Sequence, residues 1–432
     1  MKYAAKHSAK HMESSKPVCR HLPSFVFIIF IFGFAIWFLI NPKADYSSSE
    51  KRYLQKFPTV SVNSVLDGKF GTDFEKYFAD HFPLRTQWVG ANAYFNLSVG
   101  NNGADGVYNC KNGYLINKPI LDTDTLESNV QTIADFAKSV DVPVTVTLVP
   151  STGYIANDVL PAVHDTYTDD EKIENAQKVL TESGADFVDL RSAFKNAYAN
   201  GTQLYYKTDH HWTTAGAYTG YTEICKSLGI TPADKSLFTV EKYNDFYGTT
   251  YSTSGFWLTQ PDTIEIWNNK NNTEKNISVE IIEGDEKQDY HSMYFYNHLE
   301  EDDKYPVFID GNHAMTRIKN TNAAGGKILL VKDSFSHCLA PFLAENYSEV
   351  ILVDMRYYKN SISELAQQEK PDTFAESKQV ARRGGNVAGV ARRETERELG
   401  HSVVSGQNFL DRNPDGLIED TIGLPPLDSE KE

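Results

Sequence analysis

The chain has 432 residues, of which 41% are hydrophobic and 23% charged, and it carries a formal net charge of −16. That length and apolar share support a folded protein with a full hydrophobic core, in one large domain or two ordinary ones. The excess of acid argues against a nucleic-acid binder, because phosphate contact needs clustered positive charge.

The first predicted element is LPSFVFIIFIFGFAIWFLI, residues 22–40, an uncharged run of nineteen residues. At about 1.5 Å rise per residue such a helix reaches the thickness of a bilayer core. Lys2, Lys6, Lys10, Lys16 and Arg20 precede it against the single acid Glu13. By the positive-inside rule, residues 1–21 form a cytoplasmic basic tail, 22–41 a transmembrane anchor, and the chain after Asn41 is exported. The competing reading is a cleaved signal peptide. It is disfavoured because the run exceeds a usual h-region and NPKAD is a poor small-residue cleavage site; Cys19 precedes the run, which argues against a lipoprotein site. The expected location is the cell membrane, single-pass, with the bulk of the chain extracytoplasmic.

Residues 42–110 read as a polar linker and lead-in segment, in which Phe74, Tyr77, Phe78 and Phe82 fall at helical spacing until Pro83. KNGYLINK (111–118) predicts a turn leading into a strand. From residue 125, helical TLESNVQTIADFAKSV, alternating VPVTVTLVPS, helical DEKIENAQKVLTESG, the short strand ADFVDL and a helix over 214–228 succeed one another. Residues 240–325 predict a β-rich insertion with strands at ISVEII and YPVFID. Strand KILLVK, helix SHCLAPFLAENY and strand EVILVDM follow. This alternation predicts an α/β domain over 111–370, a parallel sheet flanked by helices.

Two places carry chemistry. In KTDHHW (207–212), Asp209 and His211 stand two apart, which in an extended segment puts both on one face with His210 opposite. A carboxylate there can fix the tautomer of the imidazole and stabilise its charged form. Thr213 is placed to cap the next helix. In KILLVKDSFSHCL (327–339), Ser334 falls at a strand-to-helix turn, where a hydroxyl is exposed and helix-opening N–H groups can stabilise an oxyanion. A metal reading of His210 and His211 is poorer, since neighbouring residues in extended chain diverge and no HxxxH or HExxH spacing supports them. Asp80, His81 and His337 read as solvated loop or cap residues. Cys19, Cys110, Cys225 and Cys338 form no CxxC pair, and no disulfide is expected.

The DHHW run, the upstream FxxYFADHFPLR segment, the KNGYL turn, the KDSFS turn and the VDMRYY strand occur in an order that resembles the DHHW family. That family is SGNH-hydrolase-like and akin to alginate O-acetylation proteins; the resemblance covers residues 44–370. It implies an SGNH-like domain in which Asp209 orients, His211 acts as general base and Ser334 as nucleophile, with Arg356 as a candidate substrate contact or a structural ion pair. It further implies O-acetyl transfer onto a cell-surface polysaccharide, with the acetyl group supplied by a membrane-bound O-acyltransferase, and neither cofactor nor metal. Carbohydrate O-acetylesterase and non-catalytic glycan-binding scaffold are the alternatives.

After residue 370 the character changes. Residues 371–432 include the arginine-rich ESKQVARRGGNVAGVARRETERELG, which resembles the C-terminal end of DNA-damage-inducible protein D. The tail is unrelated to the domain before it and reads as a fusion, frameshift or assembly join. The domain also stops before a further apolar strand expected after SISELAQQEKPD.

Overall fold

The computed structural model describes residues 18–121, 123–140, 142–362 and 365; the tail 371–432 lies outside the described residues. Helix α1 (Val18–Ile40) carries the apolar run, and twenty residues of it, His21–Ile40, are long and apolar enough to cross a membrane, with none of the window buried. The lead-in segment forms a small hairpin, β1 (Tyr46–Ser47) with β2 (Arg52–Tyr53). Three helices follow: α2 (Val62–Leu66), α3 (Lys69–Asp80) and α4 (Arg85–Ser98). Ser61 starts α2 with a reciprocal cap, its hydroxyl accepting from the Ser64 amide. Helix α3 follows the expected aromatic spacing and ends before Pro83, which cannot continue it.

A three-stranded antiparallel meander of β3 (Gly103–Ala104), β4 (Val107–Asn109) and β5 (Leu115–Asn117) comes next. Between β4 and β5, Asn112 (φ 58°) and Gly113 (φ 79°) turn the chain through left-handed conformations. Helix α5 (Asp124–Ser139), strand β6 (Thr145–Leu148), the short α6 (Thr152–Ile155), α7 (Asp169–Glu182), strand β7 (Asp186–Asp189) and α8 (Arg191–Ala199) complete the first α/β part. There β6 and β7 pair in parallel, with Val130, Ala134, Ala176 and Leu180 of α5 and α7 packed in the same cluster. Helix α9 (Thr214–Ser227) starts at Thr213, whose hydroxyl accepts from the Gly216 amide as the sequence expects.

The β-rich segment supplies β8 (Phe238–Phe246), the short helix α10 (Thr249–Ser254), β9 (Asp262–Asn269), β10 (Ile277–Glu283), β11 (Glu286–Tyr290) and β12 (Met315–Asn320). Strand β13 (Gly325–Val331), helix α11 (Ser336–Leu343) and strand β14 (Tyr347–Val353) close the domain. The largest sheet has the order β11-β10-β12-β14-β13.

Three expectations change here. The parallel sheet is realised in two separate pairs, β6 with β7 and β13 with β14; the other ladders of the five-stranded sheet are antiparallel. A helical crossover joins β13 to β14, which permits parallel pairing, whereas a tight turn joins β10 to β11 and enforces the antiparallel sense. The segment 240–325 also contributes β10, β11 and β12 to that sheet, so these strands share its ladder. YPVFID is a 3₁₀ turn over Tyr305–Val307 with Pro306 in its first turn, not a strand; proline has no N–H for a ladder, and Phe308 makes only a single bridge to Tyr294.

The main core gathers Phe194, Tyr205, Trp212, Tyr221, Phe246 and Phe342 around α9, α11 and the sheet, each at most 2% exposed. Cys110, Cys225 and Cys338 are buried free thiols.

Candidate active site

The bend Lys207–His211 is closed by a bridge between Tyr205 and Trp212 that holds its two ends together. Trp212 is 1% exposed and donates its indole N–H to the Phe335 carbonyl at 2.9 Å, pinning the bend to the turn that carries Ser334. Asp209 Oδ1 lies 2.5 Å from His211 Nδ1, and His211 Nε2 lies 2.7 Å from Ser334 Oγ. The structure thus brings together all three residues singled out from the sequence, although 123 positions separate the imidazole from the hydroxyl.

The route to that pairing differs from the expected one. The backbone of 207–211 is bent, and Asp209 Oδ1 also accepts from the His211 amide at 2.8 Å, folding the side chain back on its own loop. Because the segment is not extended, His210 does not point away. Its ring centroid is 3.9 Å from that of His211, and its Nδ1 is 2.5 Å from Thr249 Oγ1. Asp209, His210 and His211 bring one ligand atom each to within 4.8 Å of one another, a donor set for a cation that residue spacing had disfavoured. Both Nδ1 atoms are engaged in hydrogen bonds, to Thr249 and Asp209.

Asp209 is 3% exposed. Burial alone would push its carboxyl up, but the His211 imidazole beside it and the Thr249 amide, at 2.7 Å from Oδ2, outweigh that and hold it well below the usual carboxylate range. Burial and the neighbouring His211 lower His210. Below Asp209, Thr208 and Lys207 bind the buried Asp262: Oδ2 accepts from the Thr208 amide and hydroxyl, each at 2.7 Å, and Oδ1 from the Lys207 amide at 2.9 Å. Gly248 backs the carboxylate so closely that an added Cβ would sit 2.1 Å from Asp209 Cβ.

Ser334 is half-buried at the expected turn, but the helix-opening amides are occupied. Phe335 N–H donates to Asp333 Oδ1 at 3.0 Å, Ser336 N–H to the Asp333 carbonyl and His337 N–H to the Ser334 carbonyl. These three donors serve the turn itself, because a single-turn reversal satisfies its own carbonyls first.

Residues read as bland turn out to be structural. His337 is 2% exposed, with Nε2 2.7 Å from Lys332 Nζ; burial and that ammonium push it well below its ordinary value. Lys332 also donates to Asp354 at 3.1 Å. Burial opposes ionisation of Asp354, but Arg356 and Lys332 hold it at about 2. Arg356 grips Asp354 from the other side at 2.9 and 2.6 Å, reaches Asn312 at 2.9 Å, and keeps 55% of its side chain exposed. Asp80 pairs with Arg52 at 2.5 Å, and His81 is 7% exposed with its ring nitrogens at the Tyr77 and Ala44 carbonyls. Tyr305, which sequence reasoning missed because it sits in a segment read as a strand, stacks on His211 at 4.0 Å.

Comparison with known proteins covers the stretch that holds this site. Residues 182–353, which contain Asp209, His211 and Ser334, match the family described as DHHW protein. A curated relative, the probable alginate O-acetylase AlgJ of Azotobacter vinelandii, is 22% identical over 199 residues, 43% of this chain; the chain spans about half the length of that relative. Among solved structures, a DHHW family protein from Eubacterium siraeum aligns at 19% identity and TM-score 0.52, covering 62% of this chain and 88% of the other. PatB1 of Bacillus cereus with a sulfonyl adduct aligns at 18% identity and TM-score 0.48, covering 60% and 89%. The similarity to the DHHW family thus lies over residues 182–353, the stretch that holds all three residues of the site.

Proposed function

We propose that the protein is a membrane-anchored, extracytoplasmic acyl-ester enzyme of SGNH type that transfers acetyl groups to a cell-surface polysaccharide. The observation that carries this reading is the continuous relay Asp209–His211–Ser334, at 2.5 and 2.7 Å. In the reaction His211 Nε2 accepts the Ser334 hydroxyl proton as Oγ attacks the acetyl carbonyl, and the donor's oxygen leaves with that proton. Acetyl-Ser334 then passes its acyl group to a sugar hydroxyl, which His211 deprotonates, regenerating the serine. Asp209 stays ionised throughout and holds Nδ1–H in place. A donor delivered by a membrane-bound O-acyltransferase fits a chain with an N-terminal apolar helix, read here as an anchor rather than a cleaved signal. Arg356 is the proposed substrate contact, exposed on one side and steadied by Asp354 on the other. The similarity of part of the chain to an alginate O-acetylase supports a polysaccharide as acceptor.

The same relay would release acetate if water replaced the sugar. Purified full-length protein given a small acetyl ester, with and without added acetyl-accepting glycan, separates the two: transfer yields acetylated glycan, hydrolysis yields acetate alone. Ser334→Ala is expected to lower either product by about 10³-fold or more. Undiminished turnover in that variant would remove Ser334 from the mechanism, and no turnover in the wild type would leave a glycan-binding scaffold as the better reading.

A further inference from the structure

The apolar helix α1 does not stand clear of the domain. Phe34 packs against Phe82 and Trp88, with ring centroids 5.4 and 6.2 Å away, and Phe38 packs against Phe78 at 4.9 Å. Phe34 lies six residues before the helix end at Ile40 and Phe38 two, so at 1.5 Å rise per residue α4 and the Phe82 turn reach about 9 Å down the apolar run and α3 about 3 Å. The greater depth is that of an interfacial amphipathic helix, whose apolar face sinks about 5–10 Å into the headgroup boundary.

The neighbouring surface suits that position. Phe74, Phe78, Leu84 and Trp88 remain 38%, 41%, 42% and 45% exposed although all are large and apolar. Phe74 and Phe78 stand one helical turn apart on α3, and Trp88 is the residue type enriched at membrane interfaces. Residues 42–100 hold seven Lys and Arg against six Asp and Glu, so this part is near neutral in a chain of net charge −16. Acid repulsion from a membrane surface is therefore least here.

The face is also rigidly tied to the active site. Arg52 bonds Asp80, and Arg85 bonds Glu50 at 2.7 Å, fixing the hairpin to α3 and α4. Lys51 reaches the Tyr247 carbonyl at 2.5 Å and Asp303 at 3.2 Å, next to Gly248 and two residues from Tyr305. The Trp257 indole donates to the Thr86 carbonyl at 2.9 Å, clamping α4 to the end of α10, whose first residue, Thr249, binds Asp209.

We infer that the aromatic face of α3 and α4 is a second membrane contact, lying in the plane of the bilayer beside α1 and setting the orientation of the Ser334 site relative to the membrane surface. This rests on the reading of α1 as a retained anchor. A site held at fixed height above the bilayer would receive its acyl group from a donor at the membrane, with the polysaccharide approaching from outside.

The test uses the full chain with Cys19→Ser, reconstituted in phosphatidylcholine–phosphatidylglycerol vesicles; Cys110, Cys225 and Cys338 are buried. Single cysteines at Phe74→Cys, Phe78→Cys, Ile31→Cys and Val163→Cys are labelled with an environment-sensitive fluorophore. Ile31 reports the anchor, and Val163, 75% exposed on the domain, reports water. Labels at 74 and 78 are expected to lose emission to nitroxide-bearing lipid and to be shielded from iodide, as at 31 and unlike 163. Iodide access at both 74 and 78 equal to that at 163, with 31 still quenched by lipid, overturns the inference and leaves the anchor intact. Loss of lipid quenching at 31 removes the anchor reading itself, and the inference with it. Circular dichroism checks that each variant is folded.

Discussion

Tyr305 lies flat against His211, with ring centroids 4.0 Å apart and ring planes 10° from parallel. The same tyrosine donates its hydroxyl to the Ser334 carbonyl at 3.3 Å and is 5% exposed. One side chain therefore forms the wall of the imidazole and braces the turn bearing the hydroxyl; in the proposed reaction the charge developing on His211 would be favoured by the ring face.

Replacing Tyr305 separates these contributions. Tyr305→Phe keeps the stack and loses one hydrogen bond, so stability should fall by about 1 kcal/mol with turnover largely kept. Tyr305→Ala removes the wall; unfolding should cost about 3–5 kcal/mol less, and turnover should drop by about 10²-fold, the scale of a small misplacement of a reacting group. Thermal unfolding and acetyl-ester turnover check both, and wild-type turnover in the alanine variant would remove the positioning role.

Gly248 offers a test that leaves the relay residues in place. Its missing side chain is where Asp209 sits, with an added Cβ 2.1 Å from Asp209 Cβ and 2.4 Å from Oδ2. Gly248→Ala should destabilise by about 1–3 kcal/mol through overpacking, and should reduce acyl turnover because Asp209 must move off His211. Unchanged kcat with lowered Tm would show that Asp209 accommodates the methyl group without leaving the imidazole.

Arg356 is expected to act on the acceptor rather than on the bond being broken. Arg356→Gln should raise KM for the polysaccharide about tenfold, the worth of one charge-assisted hydrogen bond, and leave turnover of a small acetyl ester near wild type. Steady-state kinetics on both substrates decide this; equal KM values for the glycan would assign Arg356 to its bond with Asp354 alone.

The loop that carries Tyr305 is tied down by two histidines on one carboxylate. His298 Nε2 is 2.5 Å from Asp310 Oδ1, His313 Nε2 is 3.1 Å from Asp310 Oδ2, and their Nδ1 atoms face Glu301 and Glu283 at 2.9 and 3.0 Å. Burial works to lower both histidines, but these carboxylates outweigh it and raise them. A raised pKa means the stabilisation is complete below the unfolded value, near 6.5, and is lost as pH rises through the folded value. Tm should therefore decline on the alkaline side of about 6.5, and the His298→Gln, His313→Gln double variant should flatten that decline. An identical Tm-against-pH curve in the variant would refute the assignment.

How much of this was legible in the chain differs from element to element. Helices α5 and α7 follow from apolar spacing because each buries one stripe, a property local in sequence, and α3 shows the same spacing although its aromatic stripe stays partly exposed. The pairing sense of the sheet was not legible: strands β10 to β12 read as an insertion, and only the ladder shows that β12 pairs with β14. At the site, Asp209, His211 and Ser334 could be named from residue type, turn position and family resemblance. The proximity of His210 to His211 could not, since it depends on a bend that the Tyr205–Trp212 bridge closes. Tyr305 was hidden for the same reason, its contact being made across the fold from a turn that Pro306 creates.

Sequence alone determined the apolar helix and the helical stripes, because composition and period are properties of neighbours along the chain, and it singled out Asp209, His211 and Ser334 as candidates through residue type, turn position and family resemblance. Tertiary structure alone decided that the hydroxyl stands 2.7 Å from the imidazole, which tyrosine walls it, and that the lead-in helices lie against α1. Those are distances between residues far apart in sequence, set by how buried aromatic side chains pack and not by any local preference.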